Sequence, residues 1–369
     1  MSSDSQAALF HGPNSTWELR SAPIAPICDG QILTRVLACT ICGSDLHTIC
    51  GRRHAHTPAI LGHEIVGQII ELSPTAPRYD IAGNPLERND RIVWTVVANC
   101  GQCFFCQHDL PQKCQNGYKY GHQQVSQDRS WHGGFATHCT LLPGTQIVKV
   151  PDRVDNLEAA PLSCATATIA AAVRTANTIE HDSVLVIGAG MLGLTACAFF
   201  KTCSPRILFC IEPDEHRRRL ALQFGASHCV TPNSLQLSPD DSLCPIGFDT
   251  VIECSGTNAG TLEAIRLVRT GGRIILVGAV FPADPAPIVI EQLVRKHLTI
   301  CGVHNYQAKD LISATEFMHK NNHKFPFKRL VEHTFPLERI EDAILCAQNP
   351  QNIRVAILPL RPRHDKESL

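Results

Sequence analysis

The sequence predicts an α/β chain made of a β-rich amino-terminal domain and a doubly wound parallel sheet. Three observations carry that expectation. β-branched runs at 32–36, 64–72, 91–97 and 146–150 are separated by Gly, Pro, Asn and Asp clusters, with no long amphipathic helix among them. From residue 184 onward, apolar runs alternate with helical stretches. A glycine-rich fingerprint stands between the first of those runs and the first of those helices.

Length and composition agree. At 369 residues, two domains are the natural expectation, and 44% apolar residues with 24 Gly and 24 Pro describe a turn-rich globular chain. A net charge of −1 without blocks of like charge argues against a nucleic-acid partner. No apolar run reaches the roughly 18–20 residues of a membrane span. The opening MSSDSQAALFHGPNST has neither a basic nor an apolar signal region, so no secretion is expected. Eighteen scattered cysteines then point to a reducing cytoplasm, where clustered thiols are ligands and isolated ones small hydrophobes.

In chain order, the stretch 39–67, CTICGSDLHTICGRRHAHTPAILGHEIVG, gathers Cys42, Ser44, His47, His63 and Glu64. Cysteine, histidine and carboxylate are ligand types that zinc accepts, and a catalytic site keeps one position open. Cys42 and His63 are 21 residues apart, so only the fold can join them, and alone the pair is a weak signal. Residues 73–89, with three prolines, read as a surface loop.

Cys100, Cys103, Cys106 and Cys114 follow within fifteen residues, the count for a closed structural Cys₄ zinc site. An iron–sulfur reading lacks the closing x₃-C-P of the bacterial cluster motif, and the compartment disfavours a disulfide. The Ala-rich stretch 157–175 favours helix and contains Cys164, which by itself reads as a buried thiol.

The run 184–187 enters Gly188-Ala-Gly190-Met191-Leu192-Gly193, and a helical stretch follows at 194–201. A second strand, 207–211, ends at Glu212, 19 residues past Gly193. This is the dinucleotide fingerprint: glycines for the tight turn, for backbone approach to the pyrophosphate and for helix–strand packing. Glu212 would accept from the ribose hydroxyls and repel a 2′-phosphate, favouring NAD over NADP, although Arg217 and Arg218 could accommodate a phosphate. Runs at 250–252, 273–277 and 298–300, with a helix at 261–268, complete an expected six-stranded sheet, and 353–358 is the last strand candidate.

With these motifs in this order, the chain resembles the zinc-dependent medium-chain alcohol dehydrogenases along essentially its whole length. The resemblance implies a GroES-like catalytic domain at 1–163 with a structural zinc lobe at 100–114, a Rossmann domain at 164–302, and a tail, 303–369, returning to the catalytic domain. It implies catalytic zinc ligands at Cys42, His63 and Cys164, with Glu64 as a carboxylate behind them able to become an alternate ligand. Ser44 and His47 correspond to a proton relay running through the cofactor ribose, and Arg354 to an arginine on the pyrophosphate. Met191, Leu192, Arg217 and Val280 join the glycines and Glu212 as expected cofactor contacts. Gly43 stands where many members carry an Arg or His that contacts a cofactor phosphate. Two Zn²⁺ per chain, NAD, an alcohol or aldehyde substrate and a homodimer or homotetramer are expected, with 298–303 as a pairing edge.

A closer resemblance, in CTICGSDLHTICGRR, LPQKC, YKYGH and LSCATATIAAA, is to alcohol dehydrogenases associated with bacterial phosphonate catabolism. Arg52, Arg53 and Lys119 would suit an anionic phosphonate alcohol, and a solvated loop charge is the plainer reading of each. A zinc-independent reductase of the same fold would lack these cysteines, and a non-catalytic protein on the scaffold need not keep them.

Overall fold

A strand ending at Thr40 and a neighbour beginning at Glu64 frame the amino-terminal part of the chain. In the computed structural model, which describes residues 4–126, 131–237 and 245–359, Ile32–Thr40 and Glu64–Leu72 pair antiparallel, with Thr40 opposite Glu64. They lie in a sheet ordered Val331–Pro336, Arg354–Leu358, Ile32–Thr40, Glu64–Leu72, Arg91–Trp94, Ile147–Lys149, with His138–Leu141 also paired to Ile32–Thr40. Ile32–Thr40 is buried along nearly its whole length, because it sits in a core with Trp94, Phe135, Ile65 and Ile92. The expected strand at 91–97 is two, Arg91–Trp94 and Val97–Ala98. Thr95 turns the chain between them, its hydroxyl donating to the Val97 carbonyl at 3.0 Å. Val97–Ala98 pairs with Tyr118–Lys119 instead of the main sheet. Residues 73–89 hold no strand or helix and are pinned by Asp80, whose carboxylate accepts from the Ala82, Asn84 and Lys149 backbone N–H groups.

The chain divides into two compact units, Met1–Ser163 with Lys328–Leu369, and Cys164–Phe327. The second contains a parallel sheet ordered His228–Val230, Ile207–Ile211, Ser183–Ile187, Phe248–Glu253, Val268–Leu276, Thr299–Gly302. Chain order therefore runs from the middle to one edge and restarts on the other side, creating a switch point beside Ser183–Ile187 where ligands bind in such sheets. The sixth strand is His228–Val230, too short and too exposed to announce itself as an apolar run. Burial of whole strands such as Ser183–Ile187 and Ile207–Ile211 explains their unbroken apolar character.

Two expectations change. The helical stretch at 157–175 is Asn156–Ala159, a 3₁₀ turn Ala160–Ser163 and Ala165–Ala176, because Pro161 has no N–H to continue the ladder. Residues 303–327, expected to return to the first domain, stay with the second unit. There the helix Ala308–Asn321 stacks Phe317 on Phe199, ring centroids 3.7 Å apart, and Asp310 pairs with Arg174 at 2.7 Å. The return begins at Lys328.

Candidate metal centre and cofactor cleft

Strand register closes the 21-residue gap between Cys42 and His63. Cys42 lies two residues past Thr40, His63 one before Glu64, and those strand ends are paired. Ile41 N–H donates to the Val355 carbonyl at 2.9 Å, which brings Arg354 to the same end of the sheet. Cys42 is the N-cap of the helix Gly43–Ile49. Asp45, in its first turn, accepts the Cys42 N–H on Oδ2 at 2.9 Å and faces His63 Nδ1 with Oδ1 at 3.1 Å. One carboxylate thus caps the helix and fixes the imidazole, leaving Nε2 aimed at the cluster.

The ligand atoms of Cys42, His63 and Cys164 lie within 4.8 Å of one another. Cys164 follows Ser163 by one peptide bond, and Ser163 Oγ is held by the Ile65 N–H at 2.9 Å and the His63 carbonyl at 3.2 Å. Ser44 Oγ is 3.3 Å from His63 Nε2. Burial disfavours charge on the His63 ring, but the Asp45 carboxylate and the Cys42 thiol outweigh it and raise its pKa to about 10. A proton and a metal ion compete for one nitrogen, so a field that holds a proton there suits a cation. Two sulfurs, one oriented imidazole and such a field fit a zinc ion.

Glu64 is not one of the converging ligands. Its fully buried carboxylate accepts Arg354 Nε and Nη2, both at 3.0 Å, and the Thr40 hydroxyl at 2.6 Å. Burial lifts its pKa to about 7 against the pull of Arg354. Arg354, expected on the pyrophosphate, has its fork on Glu64 and brings Nη2 to 3.6 Å from Cys42 Sγ. The guanidinium answers the nearest buried carboxylate because leaving that charge unpaired would be far costlier. His47 sits in the last turn of Gly43–Ile49, its pKa depressed by burial and by Arg52. Arg52 is exposed, whereas Arg53 and Lys119 are half-buried.

The four clustered cysteines meet a sharper test. Neighbouring sulfurs lie 3.4, 3.5 and 3.8 Å apart. A tetrahedron with Zn–S bonds of about 2.3 Å has edges of about 3.8 Å, whereas a disulfide needs about 2.05 Å. The lobe fits a closed zinc site.

In the second unit, Gly188 has φ +92°, and a Cβ on Gly193 would fall 1.7 Å from the Gly188 carbonyl oxygen. Gly190 caps the helix Met191–Thr202, with Met191 buried and Leu192 half-buried. Gly188, Gly190, Glu212, Arg217 and Thr257 line a cavity of about 450 Å³, the scale of a small-molecule pocket. Glu212 accepts the Ala189 N–H at 2.6 Å and the Asp214 N–H at 3.0 Å. Arg218 is committed to the Glu212 and Pro213 carbonyls at 3.0 and 2.5 Å, which leaves Arg217 as the arginine of this pair on the cavity wall. Val280 is 38% exposed and does not line this cavity.

Three neighbours went unread in the sequence. Asp45 stands three residues after Cys42, a helix-capping spacing that is a usable signal. Thr40 and His122 carry none, because only strand pairing and a glycine-mediated contact bring them to the site.

The family model for the alcohol dehydrogenase GroES-like domain matches residues 28–152, and that for zinc-binding dehydrogenases matches 192–320. An alcohol dehydrogenase of Geobacillus stearothermophilus is 30% identical over 346 residues, covering 91% of this chain and 94% of its own. An L-threonine 3-dehydrogenase of Thermococcus kodakarensis is 29% identical, covering 82% of this chain and 83% of its own. The crystal structure of an alcohol dehydrogenase from Thermotoga maritima superposes with a TM-score of 0.88 at 25% identity, covering 97% of this chain and all (100%) of that one. With its GroES-like and Rossmann-like architecture and its zinc-type ligand clusters, the chain belongs to the zinc-dependent medium-chain alcohol dehydrogenases.

Proposed function

We propose that this oxidoreductase transfers a hydride from a small polar alcohol to NAD at a zinc ion held by Cys42, His63 and Cys164, with a second zinc in the Cys100–Cys103–Cys106–Cys114 lobe. The convergence of Cys42, His63 and Cys164 around an oriented imidazole carries this reading. When bound, zinc supplies a Lewis acid that lowers the pKa of an alcohol, and nicotinamide supplies the hydride acceptor. The chain's residues do the rest. Asp45 Oδ1 holds His63 in one tautomer. Ser44 Oγ, beside His63 Nε2, takes the substrate's hydroxyl proton as it passes its own on toward the His47 imidazole, which releases a proton to solvent. Glu212 disfavours a 2′-phosphate in its cavity, which supports NAD over NADP.

For substrate, the relatives named for alcohol and L-threonine suggest a small polar alcohol. The cations Arg52, Arg53 and Lys119 extend that to an alcohol with an anionic substituent, such as a hydroxyalkylphosphonate. The outer edge of Thr299–Gly302, last in its sheet, is the surface expected to pair with a second copy.

Metal content per chain, paired with NAD and NADP reduction over an alcohol series including hydroxyalkylphosphonates, tests this reading. About two zinc ions and NAD turnover are expected. Cys42→Ser should abolish turnover and leave the lobe's zinc in place. Substantial turnover in that variant would sink the mechanism.

A further inference from the structure

His122 lies beside the metal cluster and has no part in the chemistry described so far. Its position comes from two glycines set back to back. Gly121 has φ +70°, and a Cβ there would fall 2.3 Å from the Gly62 carbonyl oxygen. Gly62 has φ +84° and is itself crowded by Cys39 Sγ and Phe135, each 2.7 Å from where a Cβ would be. The backbone of 120–122 is therefore pressed onto that of 62–63, a close approach that a side chain would block. As a result the His122 ring centroid is 4.7 Å from that of His63. The segment is held from both sides: Gly121 N–H donates to the His132 carbonyl at 2.8 Å, and Val125 N–H to the Pro58 carbonyl at 2.8 Å.

Hydrogen bonding assigns the tautomer. His122 Nδ1 is 2.8 Å from the Tyr120 carbonyl oxygen, which can only accept, so Nδ1 carries the proton. In the neutral ring, Nε2 then presents a lone pair, and none of the described residues donates to it. A fixed acceptor next to the metal cluster favours a substrate group that donates and disfavours a carbonyl or oxyanion at the same spot.

We propose that His122 is a specificity residue whose Nε2 accepts a hydrogen bond from a second hydroxyl, on the carbon next to the reacting carbinol, so that the enzyme prefers vicinal diols to matched mono-alcohols. The inference rests on reading Cys42, His63 and Cys164 as the alcohol site. A site that pairs with a substrate hydroxyl discriminates against analogues lacking it, because its polar group is then left unpaired.

The test uses the zinc-loaded enzyme with NAD, and propane-1,2-diol against propan-1-ol and propan-2-ol. His122→Phe keeps a ring and removes the acceptor, and His122→Gln restores one. Wild type should favour the diol. The Phe variant should lose about tenfold in kcat/KM for the diol and less than threefold for the mono-alcohols, with zinc content unchanged and partial recovery in the Gln variant. Calorimetric titration of propane-1,2-diol into the enzyme–NADH complex should show Kd rising about tenfold in the Phe variant. Equal loss on all three alcohols would make His122 a mere support for His63 and overturn the proposal. So would an unchanged diol preference. Wild-type turnover of mono-alcohols without diol preference would overturn it while sparing the site reading. No turnover of any alcohol would overturn both.

Discussion

Arg354 and Glu64, 290 residues apart in sequence, form a two-pronged ion pair with Nε and Nη2 each 3.0 Å from a carboxylate oxygen. The arginine side chain is 10% exposed and the glutamate 0%. Each residue opens a strand, and both strands pair with Ile32–Thr40, so the pair spans the sheet end next to Cys42. Desolvation makes such a pair a modest net stabiliser, but removing one partner strands a buried charge.

Arg354→Met should therefore destabilise the protein by about 3–5 kcal/mol. The double variant Arg354→Met with Glu64→Gln should recover most of that loss. Urea midpoints of the wild type, Arg354→Met, Glu64→Gln and the double variant measure the coupling. A double variant no better than Arg354→Met would mean that Arg354 acts through packing.

Asp45 holds His63 through one oxygen and caps its helix through the other. Asp45→Ala should weaken zinc binding at the Cys42 site by roughly 10–100-fold, the usual cost of losing a carboxylate behind a metal-binding histidine. Competition with a graded series of chelators reads this directly. The four-cysteine lobe should keep its metal throughout.

Gly193 has no room for a side chain, since a Cβ would meet the Gly188 carbonyl oxygen at 1.7 Å. Gly193→Ala should spread the glycine turn and weaken NADH binding by more than about tenfold, followed by cofactor fluorescence. Glu212→Ser, which removes the carboxylate beside the glycine turn, should instead narrow the preference for NADH over NADPH. A ratio unmoved by Glu212→Ser would separate Glu212 from cofactor choice.

His138 gives the fold a pH dependence. Burial, reinforced by Arg35, depresses its pKa from 6.5 to about 4. The folded state thus holds the ring neutral where the unfolded chain would protonate it. Its contribution to stability is complete above the unfolded value and is lost as pH falls through the folded one. Urea midpoints should drop between pH 6.5 and pH 4, and His138→Gln should flatten that slope. An identical slope in the variant would assign the acid sensitivity to other groups.

Legibility in the sequence followed the range of the interactions. The Cys100–Cys114 lobe closes within one short loop, so its spacing carries its geometry. The glycine turn and Glu212 lie along one strand–helix–strand unit, where contiguity does the same work. The sequence does not place residues 303–327, because the apolar face of Ala308–Asn321 says that the helix packs, and only the Phe317–Phe199 stack says where. Cys164 was ambiguous for a similar reason: a thiol in an Ala-rich stretch looks like core until Ser163 is seen anchored beside His63.

Residue types and local spacing thus sufficed for the four-cysteine lobe, the dinucleotide turn and the α/β architecture, because those depend on neighbours along the chain. Tertiary structure alone decided that Arg354 answers Glu64, that Asp45 steers His63, and that His122 stands next to it. Such choices come from strand register and from glycine contacts, where a shift of one residue would turn every side chain to the opposite face.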